Sequence, residues 1–236
     1  MKLITFNING CRTDKKGVAK FFEKNKEKVD FLLFQEAPSN CVDTMDLKIS
    51  SLKTFGTMKI CKQYNMIITF ANLTVINSSY TVKKMSTPLM NNKNIGVANS
   101  FIVKINKTKD IRIINVHGVA FPGDKLDNKY RLKQSKLIVE EALKKRIPTI
   151  IAGDFNLLPN TESIKIFERS GFINLIKKYK IKNTRNRVAW DRYPKNKKQK
   201  YADYIFVSKD IKVKDLDVTY TEISDHLPIK LTFDLR

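Results

Sequence analysis

The residues able to do chemistry in this chain stand in short polar groups at the ends of apolar runs. Gly153-Asp154-Phe155-Asn156 closes Ile150-Ile151-Ala152, and the i, i+2 spacing of Asp154 and Asn156 turns both side chains to one side of an extended backbone. Gln35-Glu36 closes Phe31-Leu32-Leu33-Phe34 in the same manner, Asn7 ends the run from Leu3, and His117 ends the run from Ile111. Asp203 lies in the run Tyr201–Val207, and Ser224-Asp225-His226 precedes a last one. The chain has two histidines, and both fall at such positions. Carboxylates, amides and a histidine on converging strand ends make a site for a hard cation beside a titratable group. Cys11, Cys41 and Cys61 have no zinc-ligand spacing and no Gly-rich phosphate loop occurs, which disfavours zinc-hydrolase and nucleotide-kinase chemistry.

These groups need elements that bring them to one edge. Leu3–Asn7 reads as a first strand and Gly17–Lys28 as an amphipathic helix carrying Val18, Phe21 and Phe22. Phe31–Phe34 reads as a buried strand, and residues 55–82 alternate with β-branched enrichment as antiparallel strands do. A polar loop is expected over Lys83–Asn94, then strands over Ala98–Ile105 and Ile111–Val116. The strongest helix pattern runs from Asn128 to Arg146, its last turn basic as suits a helix C-terminus. A second helix follows Asn160 or Thr161 as N-cap and ends at Gly171. Strands are expected at Tyr201–Val207, Val213–Tyr220 and Pro228–Phe233. A weak internal echo relates Asn7 and Asn156, each in an Asn-bearing turn after a strand. No composition break divides the chain, so one domain over residues 1–236 is expected: mixed α/β, two sheets face to face with helices outside.

A chain of 236 residues with 42% hydrophobic and 29% charged residues can bury a large core, and it has no apolar run long enough to span a bilayer. Met1-Lys2 leads directly into the first strand, which reads as no signal peptide. The odd, widely spaced cysteines suit a reduced cytoplasmic setting. The net charge of +22 favours a polyanionic partner, nucleic acid first, although the excess of lysine over arginine also fits an AT-rich coding genome.

The ordered set Asn7, Gln35-Glu36, His117-Gly118, Arg131-Leu132-Lys133-Gln134, Gly153-Asp154-Phe155-Asn156, Asp203-Tyr204-Ile205 and Ser224-Asp225-His226 resembles the endonuclease/exonuclease/phosphatase superfamily, which includes exonuclease III, abasic-site endonucleases and pancreatic deoxyribonuclease. The resemblance spans nearly the whole chain. It implies a four-layer α/β sandwich, two mixed β-sheets packed face to face with helices outside, and Mg²⁺-dependent cleavage of phosphate esters, with Mn²⁺ as a possible substitute. It makes Glu36 the metal ligand, with Asn7 beside it assisting the metal or the phosphate and Asp225 helping on the metal side. It makes Asp154 the residue that orients or deprotonates the attacking water, Asn156 a phosphoryl contact, and His226 a phosphate-stabilising cation held by Asp203. His117 matches the second histidine of the deoxyribonuclease-like and phosphodiesterase branches. Asn9 stands where abasic-site endonucleases carry an aspartate near the metal, which argues against a strict abasic-site enzyme. Arg131 and Gln134 match a helix pattern beside the site, and Asn9 and Arg131 are counted among the substrate contacts.

Residues 177–200 hold eleven Lys or Arg against one acid, with Tyr179, Trp190 and Tyr193 interleaved. Their place just before the Asp203 strand predicts a loop at the rim of the site. There Lys197, Lys198 and Lys200 would follow a phosphate backbone and Trp190 or Tyr193 would stack on bases. The leading expectation is a monomeric Mg²⁺-dependent nuclease acting on DNA or RNA. A phosphatase of a small phosphorylated metabolite, inositol phosphate or phospholipid is the alternative, and a catalytically silent nucleic-acid-binding protein a third.

Overall fold

The computed structural model describes residues 1–26, 28–37, 52–59, 66–72, 80–85, 97–106, 108–191 and 198–236. Tyr193 and Lys197 lie outside them. Two six-stranded mixed sheets form the centre. The first has the order β11-β12-β1-β2-β4-β3, built from β1 (Lys2–Asn7), β2 (Phe31–Gln35), β3 (Leu52–Lys59), β4 (Met66–Asn72), β11 (Ile211–Val218) and β12 (Ile229–Leu235). The second has the order β5-β6-β7-β8-β10-β9, built from β5 (Tyr80–Met85), β6 (Val97–Lys104), β7 (Asp110–His117), β8 (Thr149–Asp154), β9 (Ile173–Asn174) and β10 (Asp203–Val207). Helices α1 (Lys15–Asn25), α2 (Lys129–Leu143) and α3 (Glu162–Arg169) flank them, with short turns α4 (Leu175–Lys178) and α5 (Arg187–Trp190).

Period-two alternation assigns the faces. Leu3 of β1 and Phe31 and Leu33 of β2 belong to the core that also holds Ile113, Ile150 and Ile205 of the second sheet. Ile4, Phe6, Leu32 and Phe34 point the other way and pack with Val18 and Phe22 of α1. Tyr204 and Phe206 turn outward with Phe155 and Phe167 into an aromatic cluster beneath α3. Each such fully buried aromatic or aliphatic side chain contributes about 1.5–3 kcal/mol. The result is the expected α/β sandwich of paired sheets and outer helices.

Both sheets have the same strand pattern around a central parallel pair, β1–β2 in one and β7–β8 in the other. In that pattern the counterpart of Asn7 is His117, so the Asn7–Asn156 echo read from the sequence joins positions that the topology does not equate. Helix ends also moved. α2 stops at Leu143, so the basic residues Lys144 to Arg146 follow the helix rather than forming its last turn. α3 begins at Glu162 after Thr161, but its cap comes from elsewhere: Asp127 accepts the Glu162 and Ser163 N–H groups at 2.6 and 2.9 Å. β5 runs to Met85, into the segment expected to be a loop. Cys11 is disulfide-bonded, which counts against the reduced setting expected from the number and spacing of the cysteines. Among the described residues no helix is long and apolar enough to cross a membrane.

Candidate active site

The site is a consequence of strand register. In the second sheet His117 pairs in register with Asp154, and Asp154 with Asp203, so the three side chains form a row across β7, β8 and β10 at one edge. In the facing sheet Asn7 is in register with Gln35 of the parallel neighbour, and Glu36 follows. β12 runs antiparallel to β1, which returns His226, just before its start, to the same edge. This is the crevice beyond the carboxyl ends of parallel strands where α/β sheets bind ligands.

Backbone conformation allows the approach. A Cβ at Gly153 (φ +142°) would lie 2.0 Å from the Val116 carbonyl oxygen, and one at Gly118 would lie 2.1 Å from that of Phe155. Glu36, directly after β2, and Asn156, two residues past the end of β8, adopt positive φ of 50° and 53°. Such conformations are costly for residues other than glycine and cluster at functional sites. Beneath the site Gln35 donates to Asn115 Oδ1 at 2.7 Å and Asn115 donates to the Phe34 carbonyl at 3.2 Å, tying the two sheets together.

Asp154 is the centre of the arrangement. Its Oδ1 accepts the Asn156 N–H at 2.8 Å, and its Oδ2 accepts from Asn7 Nδ2 at 2.8 Å and Asn156 Nδ2 at 3.3 Å. His226 Nε2 lies 3.8 Å and His117 Nε2 4.0 Å from the same Oδ2. Burial raises its pKa, but His226, Lys125 and His117 outweigh that and hold it at about 2. His226 faces Asp203 through Nδ1, at 3.0 and 2.9 Å from the two carboxylate oxygens. Burial disfavours the charged imidazole, yet Asp203, Asp154 and Asp225 together raise its pKa to about 9. At neutral pH the site therefore holds an ionised carboxylate opposite a charged imidazole.

Ligand atoms of Glu36, His117 and Asp154 lie within 4.8 Å of one another, as do those of Asp154, Asp203 and His226. His226 already uses Nδ1 on Asp203, which leaves the first group as the better candidate. Glu36 Oε1 lies 3.7 Å from His117 Nε2 and accepts from Asn7 Nδ2 at 3.2 Å. Its Oε2 pairs with Arg12 at 2.9 Å. Two hard carboxylates fit Mg²⁺ or Mn²⁺. His117 fits less well: its Nδ1 is buried without a hydrogen-bond partner among the described residues, whereas a ligating histidine normally has its second nitrogen anchored.

Several predicted roles change. Asn7 reaches both carboxylates as a donor, and its Oδ1 accepts the Asn9 N–H at 2.9 Å, so its amide oxygen is turned away from a metal. Asp225 belongs to neither ligand group: its Oδ2 pairs with Arg185 at 2.9 Å, and its Oδ1 lies 3.9 Å from His226. Arg131, expected among the substrate contacts, faces the protein interior instead. Its side chain is fully buried, and its guanidinium donates to the carbonyls of Val119, Ala120, Pro122 and Leu126 and to Asp124, clamping the loop after β7. Gln134 supports that loop by accepting the Val119 N–H at 3.0 Å. Asn9 packs against Arg12 and Thr13 beside the site.

The basic tract is only partly a rim. Thr184, Arg185 and Asn186 turn inward and are buried, and Arg185 forms a β-bridge with His226. Thr184 Oγ1 accepts the Ala202 and Asp203 N–H groups at 3.0 and 3.1 Å. Lys198 and Lys200 are exposed as expected, and the Lys198 ammonium lies 5.8 Å from the centre of the half-buried Trp190 ring. Gln199 donates to the Gly123 carbonyl at 2.8 Å, joining the tract to the loop after β7. Sequence reasoning missed Arg185, Arg12 and Lys125. Arg185 was hidden among ten other basic residues of its tract, and Lys125 stands in a loop with no periodicity to single it out.

Comparison with known proteins gives the family and the fold. A model of the Endonuclease/Exonuclease/phosphatase family matches residues 4–226. No curated sequence matches the chain. Among solved structures, a Bacteroides thetaiotaomicron mannosyl-6-phosphatase is similar at 17% identity and TM-score 0.74, with all of both chains covered. D. rerio TDP2 complexed with a single-strand DNA product is similar at 16% identity and TM-score 0.71, with 99% of this chain and 98% of that one covered. The human Nocturnin catalytic domain with a bound sulfate anion gives 16%, 0.72, 100% and 94%. At these identities the likeness is one of fold.

Proposed function

This chain belongs to the Endonuclease/Exonuclease/phosphatase family, whose members are phosphoesterase hydrolases, and from that premise we propose that it is a metal-dependent phosphodiesterase acting on nucleic acid. The observation that carries the reading is the opposition of Asp154 to His226, whose Nε2 lies 3.8 Å from Asp154 Oδ2 while its Nδ1 is held by Asp203 at 2.9 Å. A phosphodiester needs an oriented nucleophile on one side and positive charge at its oxygens on the other. Asp154 orients the attacking water or takes its proton. Asn156 donates to the phosphoryl oxygen, and His226 stabilises the charge developing there. Glu36 and Asp154 would hold Mg²⁺ or Mn²⁺, which when bound supplies Lewis-acid neutralisation of the phosphoryl oxygens.

Nucleic acid is favoured over a small phosphomonoester by the net charge of +22 and by exposed Lys198 and Lys200 on a segment bonded to the loop beside the site. The phosphatase reading draws on the mannosyl-6-phosphatase, whose fold this chain shares. A substrate panel decides. Purified protein with Mg²⁺ is expected to cut single- or double-stranded DNA or RNA, and EDTA to stop it. Hydrolysis of sugar or inositol phosphates with polynucleotides left intact would replace the nuclease reading with the phosphatase one. Neutralising Lys198 and Lys200 together is expected to raise KM on polynucleotide several-fold with little change on a small phosphodiester; equal effects on both would remove the rim from the argument.

A further inference from the structure

Lys125 is the least expected side chain at this site. Lysine is almost never fully buried, yet Lys125 is only 5% exposed. Its ammonium donates to the amide oxygen of Asn156 and, among the described residues, not to a carboxylate. Burial depresses its pKa to about 8, although Asp154 and Asp203 favour its charge.

The surrounding loop is built to keep it there. Lys125 takes a positive φ of 59°, and its carbonyl accepts the Leu158 N–H at 2.9 Å, two residues past Asn156. The clamp of Arg131 closes on residues 119–126, on both sides of Lys125. Asp127, two residues on, is fixed by capping α3. A floppy surface lysine would need none of this.

The consequence falls on Asn156. An amide can present either a donor or an acceptor, and only the donor suits a phosphoryl oxygen. With Oδ1 occupied by Lys125, Nδ2 donates to Asp154 Oδ2 and to the Gly118 carbonyl, each at a long 3.3 Å, on the side where His117 and His226 converge, so a phosphoryl oxygen would have to take over one of these two long bonds. We propose that Lys125 is a positioning residue that fixes the Asn156 amide with its NH₂ group facing the phosphoryl position. The role rests on the phosphoester-hydrolase reading above. It also predicts which step suffers: a contact realised most fully as charge builds on the phosphoryl oxygens acts on kcat more than on KM.

The test is a double-mutant cycle of Lys125→Met and Asn156→Ala, read in two ways. The first is kcat and KM on a small phosphodiester with Mg²⁺; the second is the affinity for inorganic phosphate by calorimetry. Methionine keeps the length and apolar stem of lysine without the buried charge, so the melting temperature is expected to hold. If that variant does not fold, Lys125→Gln replaces it in the cycle. Lys125→Met is expected to lower kcat about tenfold to a hundredfold, the scale of one charge-assisted hydrogen bond, with KM changed little. In the Asn156→Ala background the same change is expected to cost less than about threefold, because its target is gone. Phosphate affinity should show the same non-additivity. Additive losses in both readouts would overturn the role while leaving the hydrolase reading intact. A wild-type protein inactive on every phosphoester would sink that reading instead, and the phosphate cycle would then judge Lys125 alone.

Discussion

Replacing Asp203 with Asn separates charge from geometry at the centre of the site. Asparagine keeps an oxygen that can accept from His226 Nδ1, where the carboxylate now lies at 2.9 and 3.0 Å, but it removes the anion. The two remaining carboxylates stand farther off, Asp154 at 3.8 Å and Asp225 at 3.9 Å from Nε2, while the ring stays buried. Burial would then be opposed by less, and the pKa should fall from about 9 to near or below the ordinary 6.5. A drop of that size corresponds to about 3 kcal/mol of lost preference for the charged ring. At pH 8 a group with a pKa of about 9 is roughly nine-tenths charged and one at 6.5 roughly one-thirtieth, so the cationic population falls about thirtyfold. The direct assay is an NMR titration of the His226 ring nitrogens in both proteins, alongside kcat/KM against pH. The variant's loss should be small at pH 5.5 and grow steeply toward pH 8. Stability should follow: a raised folded-state pKa stabilises most below 6.5 and less as pH climbs toward 9, so the variant's deficit should shrink over that window. An unchanged titration near 9 in Asp203→Asn, or an equal rate loss at both pH values, would refute the electrostatic account of His226.

Other perturbations test the frame around that pair. Gly153→Ala places a Cβ 2.0 Å from the Val116 carbonyl, and urea denaturation should record a loss of about 3 kcal/mol or more; a loss under about 1 kcal/mol would mean that β7 and β8 part easily. Arg131→Met unclamps the loop after β7 without touching substrate, so it should lower thermal stability and speed proteolysis within residues 119–127, and a stable protein with a weakened KM alone would restore Arg131 as a substrate contact. Glu36→Gln should weaken Mn²⁺ binding at least tenfold by calorimetry, whereas Asn7→Ala, which removes a donor between two carboxylates, should change it less.

How much of this was legible in the sequence depends on what carries each feature. Period-two alternation and run length announced β1, β2, β7, β8 and β10, because burial on both faces leaves a compositional trace. Polar groups at the ends of those runs were legible for the same reason: Asp154, Asn156, Glu36 and His117 interrupt apolar stretches. Strand order was not legible, since nothing local to Asn7 states that its structural counterpart is His117. Side-chain direction was equally silent. Arg185 and Lys198 belong to one basic tract, yet one is buried against Asp225 and the other exposed. The difference comes from Thr184, whose hydroxyl accepts the Ala202 and Asp203 N–H groups and so draws its neighbour inward.

The same distinction explains why amide orientation is the weakest inference from a motif. A Gly-Asp-x-Asn run announces two polar side chains on one side of a strand end, but an amide is donor or acceptor according to what holds its far atom. Asn7 was expected to assist the metal or the phosphate, and the Asn9 N–H, by occupying its amide oxygen, leaves it a donor to Glu36 and Asp154. Asn156 is held in the same sense by Lys125. Two amides are therefore fixed as donors around Asp154 Oδ2, each by a partner outside its own motif. With Asp154 held at about 2 by its cationic neighbours, those NH₂ groups meet a permanent anion at neutral pH. The site is thus ordered electrostatically before a metal or phosphate arrives, which lowers the reorganisation required when either binds.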